Sequence, residues 1–537
     1  MDYKKLAAAG MSAALMLSIG GSALAKGPGG PPPEKKNTAL STSQTDSSES
    51  RRGGAPQEGT SSRRHDTSRV PDSEKDSENT DKQRGEKPSR KPDAATDSSQ
   101  GNEATEKKSE KKAKKGKKSD QTGETDTAKE KKNIKSENAS ETESGKTRKS
   151  SQKQSSAPAD YAAANTLSQS ATNATYTSTN DSENAVLVSG DKVTLTGVTV
   201  EKTGDGSGDN ADFYGINATV LATNGAELTV KGANITSNGA HANGVFSYGE
   251  GTTVKISDST ITTTGNTSGG LMTTGGGTMI ADNLTVKTSG NSSAAIRSDR
   301  GGGTVIVNGG SYESGGVGSP AIYSTADITV NGATLTSNAS EGVIVEGKNS
   351  VILNNVTLTD TNTKHAGKSS TDKNIFLYQS MSGDASVGTA EFKATDSKIV
   401  TNQGDTIYVT NTTAEIELTN NTLLNNAGGA LLRVEAAKWG TSGKNGGDVM
   451  LEMENQKASG DIILDALSTL TMKLEDGSIY TGAVNSANTA KKADVTLETG
   501  SRWTLTGDSY VSSLSGDTGG IDLNGHTLYV GGIAWTK

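Results

Sequence analysis

Short apolar triplets of β-forming residues recur about every 23 to 26 residues from Lys192 onward, and this beat constrains the fold more than any other feature of the chain. The anchors read Val193-Thr194-Leu195, Leu228-Thr229-Val230, Val254-Lys255-Ile256, Val305-Ile306-Val307, Ile328-Thr329-Val330, Val351-Ile352-Leu353, Ile416-Glu417-Leu418, Val495-Thr496-Leu497 and Ile521-Asp522-Leu523. In an extended strand, residues two apart share a face, so each triplet offers one apolar pair to one side. A fixed period of this size belongs to stacked repeats.

One unit shows how a repeat closes. Glu227 to Val230 and Ala233 to Thr236 are separated by a glycine bend, and a second bend at Ser237 to Gly244 leads to Val245-Phe246. Glycine and asparagine tolerate the left-handed backbone that such corners need. The alternation predicts Leu228, Val230 and Ile235 inside, with threonine and lysine outside. Strands this short gain stability by stacking coil on coil, each pairing with its equivalent about 4.8 Å away. The expected architecture is all-β: a right-handed parallel β-helix of roughly 13 coils, on the order of 60 Å long, with asparagine and threonine stacks at its corners. A β-sandwich needs about 100 residues per unit and a propeller blade about 40, so neither matches the beat.

The composition divides the chain. Nine of ten prolines precede Tyr161, whereas all four phenylalanines and all three tryptophans follow it. Proline lacks the N–H a sheet ladder uses, so its scarcity after Tyr161 suits a β body. Residues 1–25 read as a signal peptide: Lys4 and Lys5, then an apolar run, then Ala23-Leu24-Ala25. Residues 26–160 read as a disordered, charged linker that bears too few large apolar groups to offset its ordering entropy. Residues 161–537 are the expected β-helix, closed by a C-terminal cap of Trp503, Tyr529 and Trp535. The chain is expected to be secreted or cell-surface, including cell-wall association, with no transmembrane segment once the leader is removed. A net charge of −8 argues against nucleic acid as a partner. The absence of cysteine removes disulfides, thiolate metal sites and cysteine nucleophiles.

Three insertions interrupt the beat. The first carries Gly204 to Tyr214, the second lies between Leu353 and Phe392 and carries Thr363 to Ser370 and Phe376 to Met381, and the third carries Lys438 to Gly447. Insertions in a solenoid become loops, often on its binding face. Tyr378, Gln379 and Trp439 are therefore candidate ligand contacts, and Tyr214, Tyr248, Tyr323 and Tyr408 are further candidate platforms for a sugar ring. Asp205, Asp209 and Asp212 space oxygen donors along a glycine-rich stretch, as a Ca²⁺ site would; a solvated turn fits the same residues. His241, His365 and His526 lack zinc-ligand spacing.

Segments such as Ser292-Ser293-Ala294-Ala295-Ile296-Arg297-Ser298-Asp299-Arg300 and Ser319-Pro320-Ala321-Ile322-Tyr323 resemble secreted β-helix repeat proteins of the pectin-lyase-like superfamily. The resemblance covers residues 185–537, and it implies the fold without a settled activity. For a lyase it implies a basic side chain that takes the proton α to a uronate carboxylate while a metal or arginine stabilises the enolate, with Ca²⁺ holding the acidic sugar. Arg297, Asp299 and Arg300 are the residues that would serve; an exposed ion pair at a coil corner is the plainer account of them. The leading functional expectation is adhesion or binding to a polysaccharide, as a host or cell-wall glycan. The alternatives are a polysaccharide lyase or hydrolase, and a structural stalk.

Overall fold

The computed structural model describes residues 157–158, 160–362 and 372–537. The expected signal peptide, nearly all of the linker, and residues 363–371 of the second insertion lie outside that range.

Each coil contributes three strands, as the repeat predicts. In one coil these are Glu227–Lys231, Asn234–Ser237 and Val245–Tyr248. The first two strands of successive coils build a sheet of 22 strands, and the third builds one of 11. Pairing is parallel and in register from coil to coil: Val193 faces Leu228, which faces Val254, which faces Met279. Leu228, Val230 and Ile235 are buried as expected, inside one continuous core that extends to Leu528. With parallel strands joined by crossovers, the coils form a right-handed β-helix.

Polar ladders fix the corners. Inside the core, Lys202, Ser237, Thr263, Thr288, Ser314, Ser337, Asp360 and Thr401 follow one another in register. Several of their hydroxyls donate to a carbonyl of the following turn: Ser237 to Ala242 at 2.7 Å, and Ser337 to Ser340 at 3.0 Å. At the next corner Gly239, Gly265, Gly290 and Gly316 stack so closely that a Cβ on Gly290 would lie 1.8 Å from the Gly265 carbonyl oxygen. On the outer surface an amide ladder runs from Asn354 to Asn331 to Asn308 to Asp282, with links of 2.9, 2.9 and 2.7 Å. These are the corner stacks the composition predicts.

The C-terminal end departs from expectation. Ile521–Asp522 pairs with Trp503 and Thr504 in a separate sheet of four strands, while Ser513–Gly516 takes the place beside Val495. Trp503 belongs to the core rather than to a cap: it is fully buried, and its indole N–H donates to the Gly482 carbonyl at 2.9 Å. The parallel ladder ends where Leu528–Val530 turns back antiparallel onto Ile533–Ala534, with Trp535 packed against the core. No helix among the described residues is long and apolar enough to cross a membrane.

Candidate functional site

Along the 11-stranded sheet one outward position carries large side chains in direct succession: Leu187, Leu221, Phe246, Met272, Arg297, Tyr323, Ile344, Phe376, Tyr408, Arg433 and Ile463. An outward row this apolar needs cover. Residues 208–214, expected as loop, instead form a short helix, Gly208–Tyr214. Tyr161, Ala163 and Tyr248 pack against Leu187, Leu221, Phe246 and Met272 to complete a second, external core. Farther along the row, the cover opens into a cleft.

The cleft holds ≈ 370 Å³ and draws on all three insertions. Its floor is Arg297, Tyr323, Ile344 and Phe376. Phe213 of the first insertion, Asp372, Lys373 and Asp384 of the second, and Lys438 and Trp439 of the third form walls. Pro320, the only proline after Tyr161, lies at the edge. Insertions that enter before and after the same sheet bracket its face from two sides, and that is why segments far apart in sequence meet here.

Aromatic packing gives the cleft a firm centre. Phe376 and Tyr378 stack at 4.5 Å, and Trp439 leans on both, at 5.3 and 5.0 Å. Cations lie over ring faces: Arg300 over Phe213 at 3.9 Å, Lys373 over Phe376 at 4.5 Å, and Lys438 over Trp439 at 4.2 Å. Lys373 is fully enclosed and 3.6 Å from Glu341; burial holds its amine below the usual lysine range. Arg297 pairs with Asp299 at 2.7 Å. Burial pushes the Asp299 carboxyl up to about 6 against the pull of Arg297. Arg300 bridges Asp384, at 2.8 Å, and Asp209, at 3.3 Å, tying the second insertion to the first.

Several predicted residues converge, and others do not. Arg297, Asp299, Tyr323, Tyr378 and Trp439 line the cleft, and Arg300 braces its wall. Gln379 does not reach it. Its side chain is buried, donating to the Ala385 carbonyl at 3.3 Å, because the strand alternation turns it inward next to outward-facing Tyr378. The three aspartates of the first insertion have separate partners: Asp205 accepts from the Ala240 N–H at 2.8 Å, Asp209 pairs with Arg300, and Asp212 meets His241 at 2.6 Å. The helix points them apart, so they share no centre. Among the described residues no group of three His, Asp or Glu side chains is placed to hold a metal ion.

Sequence reasoning overlooked Glu346. It is 1% exposed, accepts from Tyr323 Oη at 2.5 Å and Tyr378 Oη at 2.8 Å through Oε2, and accepts from Ser380 Oγ through Oε1. A glutamate one step past the strand triplet Val343-Ile344-Val345 carries no signal of its own, since its three partners come from other coils.

No protein-family model matches the chain. No curated protein matches it. Among solved structures the chain is similar to one from the cryo-EM structure of the Vag8–C1 inhibitor complex, with a TM-score of 0.39 and 18% identity, over 64% of this chain and 79% of that one. The fold therefore rests on the strand register, and the class it defines is a parallel β-helix repeat protein with a lateral cleft.

Proposed function

We propose that the chain is a surface-exposed glycan-binding protein, and that the lateral cleft takes one sugar unit of a longer polysaccharide. The supporting observation is the convergence of three insertions on one aromatic hollow in an otherwise regular rod. Its volume lies at the small end of ligand pockets, which run about 300–1,000 Å³. Aromatic surface suits the apolar face of a pyranose, and the charged groups around it suit the hydroxyls.

The test is a glycan array probed with the full chain and with Trp439→Ala. Selective binding that weakens about tenfold in the variant, the effect of losing roughly 1.4 kcal/mol of ring contact, supports the reading. Binding to no glycan, or equal binding by the variant, overturns it. One observation favours a second reading, glycoside hydrolysis: Asp299 is a buried carboxyl whose proton is poised near neutral pH inside the cleft. Appearance of reducing ends on incubation with the bound glycan, abolished in Asp299→Asn, would establish that activity.

A further inference from the structure

The two tyrosines that line the cleft are organised by a carboxylate with no basic partner. Glu346 lies beneath Tyr323 and Tyr378, and among the described residues its contacts are three hydroxyls and no ammonium or guanidinium. Burial, with the Glu346 carboxylate adding to it, holds both tyrosines well above the usual phenol range. Each keeps its one proton, and that proton points at Glu346. To any further partner the phenols can therefore offer only oxygen lone pairs.

Three of the basic groups at the cleft have acidic neighbours, and Lys438 lies over the Trp439 ring. Arg297 is matched by Asp299, Lys373 by Glu341, and Arg300 by Asp384 and Asp209. Glu346 lies under a floor of acceptors, and no basic side chain bonds it among the described residues. A ligand carboxylate would meet lone pairs and like charge there, whereas an ammonium brings three donors, no acceptor and the opposite charge.

From this arrangement we infer that the cleft selects a sugar bearing a protonated primary amine, and that Glu346 sets the selection through Tyr323 and Tyr378. This rests on the glycan-binding reading and narrows its ligand to amino sugars without N-acetyl groups. Glu346 is a specificity-determining residue that acts through its two phenols rather than by touching the sugar.

The experiment is calorimetric titration of the full chain at pH 6 with three tetrasaccharides, of glucosamine, of N-acetylglucosamine and of galacturonate. The glucosamine tetramer is expected to bind at least tenfold tighter than the other two. Glu346→Gln is expected to bring the glucosamine to N-acetylglucosamine ratio near one. Tyr378→Phe, which keeps the ring and Glu346 but removes one acceptor, is expected to lower the ratio part of the way. That second variant keeps the test decisive where Glu346→Gln perturbs folding. Equal binding of the three tetramers, or a ratio unchanged in both variants, overturns the inference and leaves the glycan reading standing. No binding of any tetramer, with a blank array, removes both. Pentalysine binding as tightly as the glucosamine tetramer would place a basic peptide in the cleft, and would overturn the assignment to a sugar.

Discussion

Replacing Asp360 with threonine should stabilise the middle of the rod, by an amount that depends on pH. Asp360 occupies the polar row inside the core, between Ser337 and Thr401. It is fully buried, and neither carboxyl oxygen has a hydrogen-bond partner among the described residues. Burial pushes its carboxyl from 3.8 up to about 8. Between those values the unfolded chain has released a proton that the folded chain retains. Folded-state stability therefore falls as pH rises through the window, by about 1.4 kcal/mol per unit. At pH 7 the cost is about 4 kcal/mol. It levels off above pH 8, where the folded form ionises too. Threonine fits because Thr263, Thr288 and Thr401 occupy the same row, where Thr263 donates to the Ser268 carbonyl. Long repeat arrays seldom unfold as one unit, so the readout is hydrogen exchange. The amides of Thr334–Ser337, Thr357–Asp360 and Lys398–Thr401 are followed at pH 5, 7 and 8.5, corrected for intrinsic exchange. Protection in Asp360→Thr should exceed wild type by about one order of magnitude at pH 5 and by about three at pH 7. A gain independent of pH, or a loss of protection at pH 7, would refute the reasoning.

Gly290→Ala should cost about 3 kcal/mol or more, since the new Cβ would overlap the Gly265 carbonyl oxygen and the stacked coils leave it no room; thermal unfolding, compared with Gly315→Ala, whose Cβ would meet its nearest atom at 3.5 Å, measures the difference. Arg300→Ala should loosen two cleft walls by about 2 kcal/mol through loss of its carboxylate pairs, so limited proteolysis should cut within Gly208–Tyr214 or near Met381 before it cuts elsewhere in the β body. Asn331→Ala should break the surface amide ladder at two links and lower the thermal midpoint by no more than a few degrees, because those links are solvent-exposed or nearly so; a collapse of the fold would contradict that account.

Much of the scaffold was legible in the sequence because its causes are local. Alternation within Leu228-Thr229-Val230 dictates which side chains go in, glycine and asparagine mark where the backbone turns, and equal spacing brings like strands together. Trp503 and Ile521 were misplaced because the closing coils shorten, and a change of register leaves no mark on a short apolar triplet. The cleft was legible only in pieces: Arg297, Asp299, Tyr378 and Trp439 stood out as rare residue types or as members of insertions. Glu346 carried no signal because its hydroxyl partners come from other coils, and Gln379 turns inward because it is one residue past outward-facing Tyr378. The sequence by itself determined a stack of three-stranded coils and the positions of its interruptions. Only the tertiary structure decided that the three interruptions meet over one sheet, because that depends on which corner each leaves and how far it folds back. The charges that meet there come from coils dozens of residues apart, and their pairing is a property of the stacked rod alone.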